Sequence, residues 1–236
     1  MINKRRELEV KFYLGKKLSK GNKIEQKLLD NGFRFVESRI ETDFLPDTMN
    51  SDCKRNNILF RIREVITKND KSILITVKLR KPSSKFTDFI EIETSMPNID
   101  VQTFNLIRKI LKDTTGITLN NSIKVERSLV SIRHILEDQG YTKVRIYLDK
   151  FRREYKLDKV IATLDYFPDG MGLFLELEAY TPSDLNHVIK LLGLDSSTII
   201  TTDYGDLLKD HKKDWTAKEQ REAVFSRKQS VQLLAK

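Results

Sequence analysis

Near the start of the chain stands ELEVKF, in which Glu7, Glu9 and Lys11 alternate with Leu8, Val10 and Phe12. Residues two apart share one face of a strand, so this stretch carries two carboxylates and an ammonium on one side and three apolar groups on the other. Carboxylate pairs suit divalent cations, and lysines or arginines suit the oxygens of a polyphosphate. The same device recurs downstream. Arg61 and Arg63 flank Ile62 in LFRIRE, Lys78 stands in LITVKL, and Glu91 and Glu93 alternate in FIEIET. Lys150 and Arg152 follow in DKFRRE, and Glu176 and Glu178 in FLELEA. One amphipathic strand would ordinarily turn its charges to water. Here most strands hold pairs of a single sign, and like charges two apart repel unless a ligand or metal offsets them. The pattern therefore predicts charged faces lining an interior, with Leu8, Val10 and Phe12 turned outward beneath helices.

The composition narrows the chemistry. The chain has 236 residues, 39% hydrophobic and 33% charged, enough for a core with more charge than usual. Its net charge of +9 favours anionic partners. No apolar run is long enough to span a membrane, and MINKRRELEV does not read as a signal peptide, so a cytoplasmic protein without a membrane partner is expected. A single cysteine, Cys53, rules out a disulfide framework and a cysteine-based zinc site. His134, His187 and His211 are far apart, which leaves carboxylates as metal ligands and favours Mg²⁺ or Mn²⁺.

Several elements must position these groups. Helical spacing marks residues 20–31, with Gly32 as a stop; 100–112, with Asp100 as a cap; 128–139; and a stretch opened by Pro182. Strand character marks FRFVESRIETDFLPD, NNILFRIREV, SILITVKLRK, DFIEIETSM, TKVRIYLDKFRREYKL, KVIATLDYF and GLFLELEAY. A helix ending LLDNGF is echoed by one ending ILEDQGY, each followed by strands, which suggests two similar halves of a sheet closed on itself. Asp43 and Asp47 read as turn or cap residues, Tyr155 and Tyr204 as packing aromatics with a hydrogen bond, and Arg153 as out of phase with Arg152. The charged tail reads as a solvated helix, docked by Trp215.

Taken together, these residues resemble the CYTH domain family, also called the triphosphate tunnel metalloenzymes, which includes class IV adenylyl cyclases, thiamine triphosphatases and inorganic triphosphatases. ELEVKF is similar to its ExExK strand, ETDF to its aspartate-containing strand, and LFRIRE, LITVKL and FIEIET to the strands that follow. KFRREY, with Lys150, Arg152 and Tyr155, is similar to KxRxxY. LDYFPDGMGLFLELE resembles the closing segment with Asp165, and TTDYGDLL the SYxxLL ending. The resemblance spans roughly residues 5–208. Phe89 stands where the family often has an arginine, KLRKP where it has KGP, and Leu45 where it has a tyrosine; Arg80 or Lys81 is a candidate replacement cation.

The resemblance implies an α+β fold, an eight-stranded antiparallel closed β-barrel with flanking helices, the barrel being a triphosphate tunnel. It implies Mg²⁺ or Mn²⁺ held by Glu7, Glu9, Asp165, Glu176 and Glu178, and substrate held by Lys11, Arg61, Arg63, Lys78, Lys150 and Arg152. Catalysis would centre on Glu7, Glu9, Lys11 and Glu176, with Glu91 and Glu93 as further tunnel carboxylates. The implied activity is hydrolysis of inorganic, nucleoside or thiamine triphosphate, with class IV adenylyl cyclase and a non-catalytic polyphosphate- or RNA-5′-end-binding module as alternatives. The expected partner is a small-molecule triphosphate; nucleic acid is not expected, apart from an RNA 5′-triphosphate. A monomer or homodimer is expected, with residues 1–208 as the tunnel domain and 209–236 as a helical tail.

Overall fold

Period-two alternation produces long strands in this chain, and helices form where apolar residues recur at three and four. The computed structural model describes residues 4–17, 19–81, 86–96, 98–126 and 128–235. The strands are β1 (Lys4–Gly15), β2 (Arg34–Asp47), β3 (Ile58–Ile66), β4 (Lys71–Lys81), β5 (Thr87–Met96), β6 (Lys143–Leu157), β7 (Val160–Phe167), β8 (Gly172–Ala179) and the two-residue β9 (Glu222–Ala223). The helices are α1 (Ser19–Asp30), α2 (Asp52–Arg55), α3 (Val101–Thr115), α4 (Leu129–Asp138), α5 (Pro182–Leu191), α6 (Tyr204–His211) and α7 (Arg227–Leu234). Hydrogen-bonded strand order is β2-β3-β4-β5-β1-β8-β7-β6-β9, with β2 also paired to β6, so the eight long strands form a ring-like sheet. The fold is α+β, as expected. Pro82 of KLRKP lies outside the described residues.

The chain divides into two compact units. The first comprises Met1–Arg6, Glu41–Lys81 and Phe89–Leu148. Its β3–β4 hairpin pairs antiparallel from Ile58↔Leu79 to Ile66↔Lys71. Phe60, Ile62, Ile75 and Val77 lie on one face of that hairpin and pack with Phe104, Ile107 and Leu111 of α3 and Ile132 and Leu136 of α4. Arg61, Arg63, Thr76 and Lys78 occupy alternate positions, hence the opposite face. Helix α3 begins at the expected cap, the Asp100 carboxylate accepting from the Thr103 N–H at 2.7 Å. Asp47 caps α2, accepting from the N–H groups of Cys53 and Lys54 at 3.0 and 3.1 Å. Burial, and then nearby Asp47, push the Cys53 thiol up to about 12, so it is an inert core group.

The second unit comprises Glu7–Ile40, Pro82–Asp88 and Asp149–Lys236. Here β8 pairs antiparallel with β1 (Leu8↔Ala179 to Phe12↔Leu175) and with β7, which pairs with β6. Leu8, Val10 and Phe12 join Leu28 of α1, Leu175 and Leu177 of β8, and Leu185, Val188 and Ile189 of α5 in one apolar cluster. The apolar face of ELEVKF is thus under helices, as predicted. The other face, Glu7, Glu9 and Lys11, is also buried.

The two echoed helix ends share one physical device. After α1, Gly32 adopts φ 86°, its N–H donates to Leu29 O, and the Phe33 N–H donates to Leu28 O at 3.0 Å. After α4, Gly140 adopts φ 105°, its N–H donates to Glu137 O, and the Tyr141 N–H donates to Leu136 O at 2.9 Å. Each is a Schellman-type stop, which needs a residue tolerant of positive φ and then buries an apolar one. Phe33 and Tyr141 are that buried residue.

The tail differs from the expected solvated helix. Among the described residues of the tail only α6 and α7 are α-helical, and β9 lies beside β6. The Phe225 N–H donates to Asp149 Oδ2 at 2.9 Å, and its ring stacks on Tyr166. Trp215 is half-exposed and is not the anchor. The anchor is Lys212, whose buried Nζ donates to Asp169 Oδ2 and Glu222 O at 2.5 and 2.6 Å beneath the Trp215 ring. Sequence charge concealed this because a lysine stem is apolar and packs well when its ammonium is paired.

Candidate functional site

In the second unit, strand register converts spacing into a charged cluster. Glu9 lies opposite Glu178, and Lys11 opposite Glu176. Glu176 lies opposite Thr163, and Asp165 opposite Arg152. Directly opposed residues share a face, so these side chains converge. Oxygens of Glu9, Glu176 and Glu178 lie within 4.8 Å of one another. Among the described residues neither Glu7 nor Asp165 belongs to this trio. Glu7 shares the face of Glu9 by alternation. Asp165 instead takes a bidentate grip from Arg152, at 2.7 and 2.6 Å, with Lys150 Nζ at 3.7 Å.

The cations of this cluster answer part of its negative charge. Lys11 Nζ donates to Glu9 at 2.6 Å and stands 3.4 Å from Glu176. Arg152 donates to Glu176 at 2.8 Å and stands 3.9 Å from Glu178. Burial alone would lower the Lys11 pKa, but Glu9 and Glu176 outweigh it and keep the ammonium charged. Burial alone would raise the Glu176 pKa, but Lys11, Arg152 and Lys150 hold it well below the usual range. Tyr204, at the start of α6, lies beneath both lysines, its ring centroid 5.1 Å from Lys11 Nζ and 5.5 Å from Lys150 Nζ.

A divalent ion fits this donor set. Magnesium binds oxygens at about 2.0–2.1 Å, which places opposite ligands about 4 Å apart. The trio approaches that span, no histidine or thiol competes, and the buried Thr163 hydroxyl beside Glu176 has no hydrogen bond among the described residues.

The first unit holds a second cluster. Arg63 clasps Asp43 at 2.5 and 2.8 Å and Glu41 at 2.8 Å. Glu91 receives Lys78 at 2.9 Å and Arg5 at 2.6 and 3.0 Å. Burial would raise the Glu91 pKa, yet Lys78, Arg61 and Arg5 hold it below the usual range. Arg61 is different. It stands 3.6–3.9 Å from Glu93, Glu91 and Asp43, and its buried Nε has no hydrogen bond among the described residues. Thr76 donates to Glu93 at 2.7 Å.

All the sequence-predicted residues are thus placed, in two groups. Glu7, Glu9, Lys11, Lys150, Arg152, Asp165, Glu176 and Glu178 belong to the second unit, and Arg61, Arg63, Lys78, Glu91 and Glu93 to the first. The expected cost of like-charge pairs is met differently from the sequence argument, because oppositely charged neighbouring strands offset most of it without a ligand. Asp43 is a partner of arginine rather than a turn residue. Arg153 is on the other face, paired with Glu25, to which Tyr155 also donates at 2.7 Å. Arg80 is exposed and lies over the Phe89 ring with Lys78. Sequence reasoning missed Arg5, Glu41 and Thr163. Arg5 extends the Glu7, Glu9 and Lys11 alternation by two residues, and Glu41 and Thr163 stand two before Asp43 and Asp165; that spacing was the available signal.

Comparison with known proteins agrees with the fold. The sequence model of the CYTH domain matches residues 5–190. A Methanocaldococcus jannaschii protein named "Putative adenylate cyclase MJ0240" is 26% identical over 211 residues, covering 85% of this chain and 97% of that one. The PH1819 protein of Pyrococcus horikoshii has a similar structure, with TM-score 0.60, 20% identity and coverage of 87% and 99% of the two chains. A Vibrio parahaemolyticus structure described as a "putative adenylate cyclase" has TM-score 0.60, 17% identity and coverage of 86% and 98%. Among the described residues no helix is long and apolar enough to cross a membrane.

Proposed function

The chain belongs to the CYTH domain family, and on that premise we propose that it is a divalent-metal-dependent hydrolase of triphosphate-containing substrates, whether inorganic, nucleoside or thiamine triphosphate. The observation that carries this reading is the carboxylate trio Glu9, Glu176 and Glu178 with Lys11, Lys150 and Arg152 beside it. The trio, with Glu7 on the same face, would hold Mg²⁺ or Mn²⁺. The ion supplies charge neutralisation at the transferring phosphoryl group. Lys11, Lys150 and Arg152 would bind phosphate oxygens, arginine as a planar fork and lysine as a point charge. Asp165 orients Arg152 through its bidentate bond. In the first unit, Arg61, Arg63 and Lys78 are assigned phosphate contacts, Arg61 first, because its Nε makes no hydrogen bond among the described residues.

Hydrolysis asks of the site a metal, phosphate-binding cations and water. Cyclisation also requires a held ribose whose 3′-oxygen reaches the α-phosphorus. That second reading, a class IV adenylyl cyclase, is favoured by the naming of the Methanocaldococcus jannaschii relative.

Incubation with triphosphate, thiamine triphosphate and ATP, each with Mg²⁺ or Mn²⁺, separates the readings. Orthophosphate release supports the hydrolase, whereas pyrophosphate with cyclic AMP supports the cyclase. Neither product, with triphosphate still raising the melting temperature, leaves a binding module. Glu176→Gln should lower turnover by at least the ~10–100-fold seen for outer-sphere changes at metal sites. Unchanged turnover would remove Glu176 from the metal set.

A further inference from the structure

Tyr155, Tyr141 and Tyr204 each bury their hydroxyl, and the first two are partnered. Tyr155 donates to Glu25 at 2.7 Å, and Tyr141 shares a hydrogen bond with Thr115 at 3.2 Å. The third, Tyr204, buries its hydroxyl oxygen without any hydrogen bond among the described residues. A buried hydroxyl without a partner forfeits its bonds to water and is uncommon in folded proteins.

The surroundings hold this ring firmly. The Ile200 N–H donates to Lys11 O at 2.8 Å and the Lys11 N–H donates to Ile200 O at 3.2 Å, fastening the segment before α6 onto β1 at Lys11 itself. Phe167 and Phe174 pack against the Tyr204 ring, with centroids 4.6 and 5.4 Å away. Lys11 and Lys150 place their ammonium groups over it. A fixed, neutral donor beside two ammonium groups suits an anionic oxygen, because all three contribute to the same charge. Burial, with Glu176 and Asp165 near, keeps the phenol protonated and able to donate.

We propose that the Tyr204 hydroxyl donates a hydrogen bond to a phosphate oxygen of the polyphosphate bound by Lys11 and Lys150, making it a substrate-binding residue rather than a packing aromatic. This rests on the triphosphate reading above. Tyr204→Phe keeps the ring and its contacts with both lysines and removes only the donor. Calorimetric titration of wild type and variant with inorganic triphosphate, and of both with Mn²⁺ alone, tests it. The expected result is triphosphate binding weakened about tenfold, the usual scale for a hydrogen bond to a charged acceptor, with Mn²⁺ binding unchanged. Equal triphosphate affinity overturns the proposal and leaves the triphosphate reading standing. A parallel loss for Mn²⁺ also overturns it, since the ring would then be shaping the carboxylates. Failure of the wild type to bind triphosphate overturns both. Should Tyr204→Phe fail to fold, fluorotyrosine at position 204, a stronger donor of nearly equal size, replaces it. Tighter triphosphate binding then supports the proposal and unchanged binding overturns it.

Discussion

The two charged clusters are built from the same alternation on strands, yet they are balanced differently. In the first unit Asp43, Glu41 and Glu91 each lie within hydrogen-bonding reach of an arginine or lysine. In the second, carboxylates crowd one another, and Glu9, Glu176 and Glu178 converge around Lys11 and Arg152. In the first cluster cations and carboxylates are matched in number, whereas the acidic excess of the second would be relieved by a cation. The same sequence rule thus yields one cluster matched in charge and another with more carboxylates than cations.

Removing one arginine from each cluster should magnify this difference. Arg63→Met and Arg152→Met each strand buried carboxylates, and each should lose about 3–5 kcal/mol of unfolding free energy. Millimolar Mg²⁺ should restore melting in Arg152→Met and do little for Arg63→Met, as read by denaturant unfolding with and without the ion. Equal rescue would erase the distinction between the clusters.

Acid offers a smaller and more general test. Glu91 and Glu176 have depressed pKa values when folded, so their contribution is present above the ordinary carboxylate range, about 4.3 for glutamate, and is lost as pH falls below it. Lys11, raised when folded, keeps its contribution throughout this range and loses it only in strong alkali. The melting temperature should therefore hold from neutral pH to about 5 and drop steadily below about 4. Added Mg²⁺ should shift that drop to lower pH only through the second unit, and a hydrogen-exchange profile would assign it.

The helix caps should respond least and alike. Asp100→Ala in the first unit and Thr181→Ala in the second, where Thr181 accepts from the Asp184 N–H at 3.2 Å, should each cost about 1 kcal/mol. A markedly larger loss in one would show that its helix, and not only its charged face, carries the difference.

Much of this was legible from residue order. β-branched and aromatic content together with alternation marked all eight long strands, and alternation assigned Glu9, Arg61 and Glu176 to the charged faces, because both are local properties of the chain. Register is not local. That Asp165 would be given to Arg152 and not to the carboxylate trio depends on which residues of β6 and β7 face each other. Burial of Lys212 was equally hidden, since a charged run gives no sign of the Asp169 turn that receives it. The strand β9 is only Glu222 and Ala223, too short for any pattern. Tyr204 was identified as an aromatic in TTDYGDLL, but the missing partner of its hydroxyl is a fact of three dimensions.

The pairing of Leu8 with Ala179, and the clasp between Lys11 and Ile200, have a consequence for how the chain matures. During synthesis the opening strand can meet β5 early but must wait for most of the polypeptide before β8 exists, whereas the β3–β4 hairpin can close almost as soon as it emerges. Contacts so distant in sequence slow folding. The acidic half should be the last to acquire its native shape, and a ribosome stalled short of Ile200 would carry an opening strand still without its clasp at Lys11.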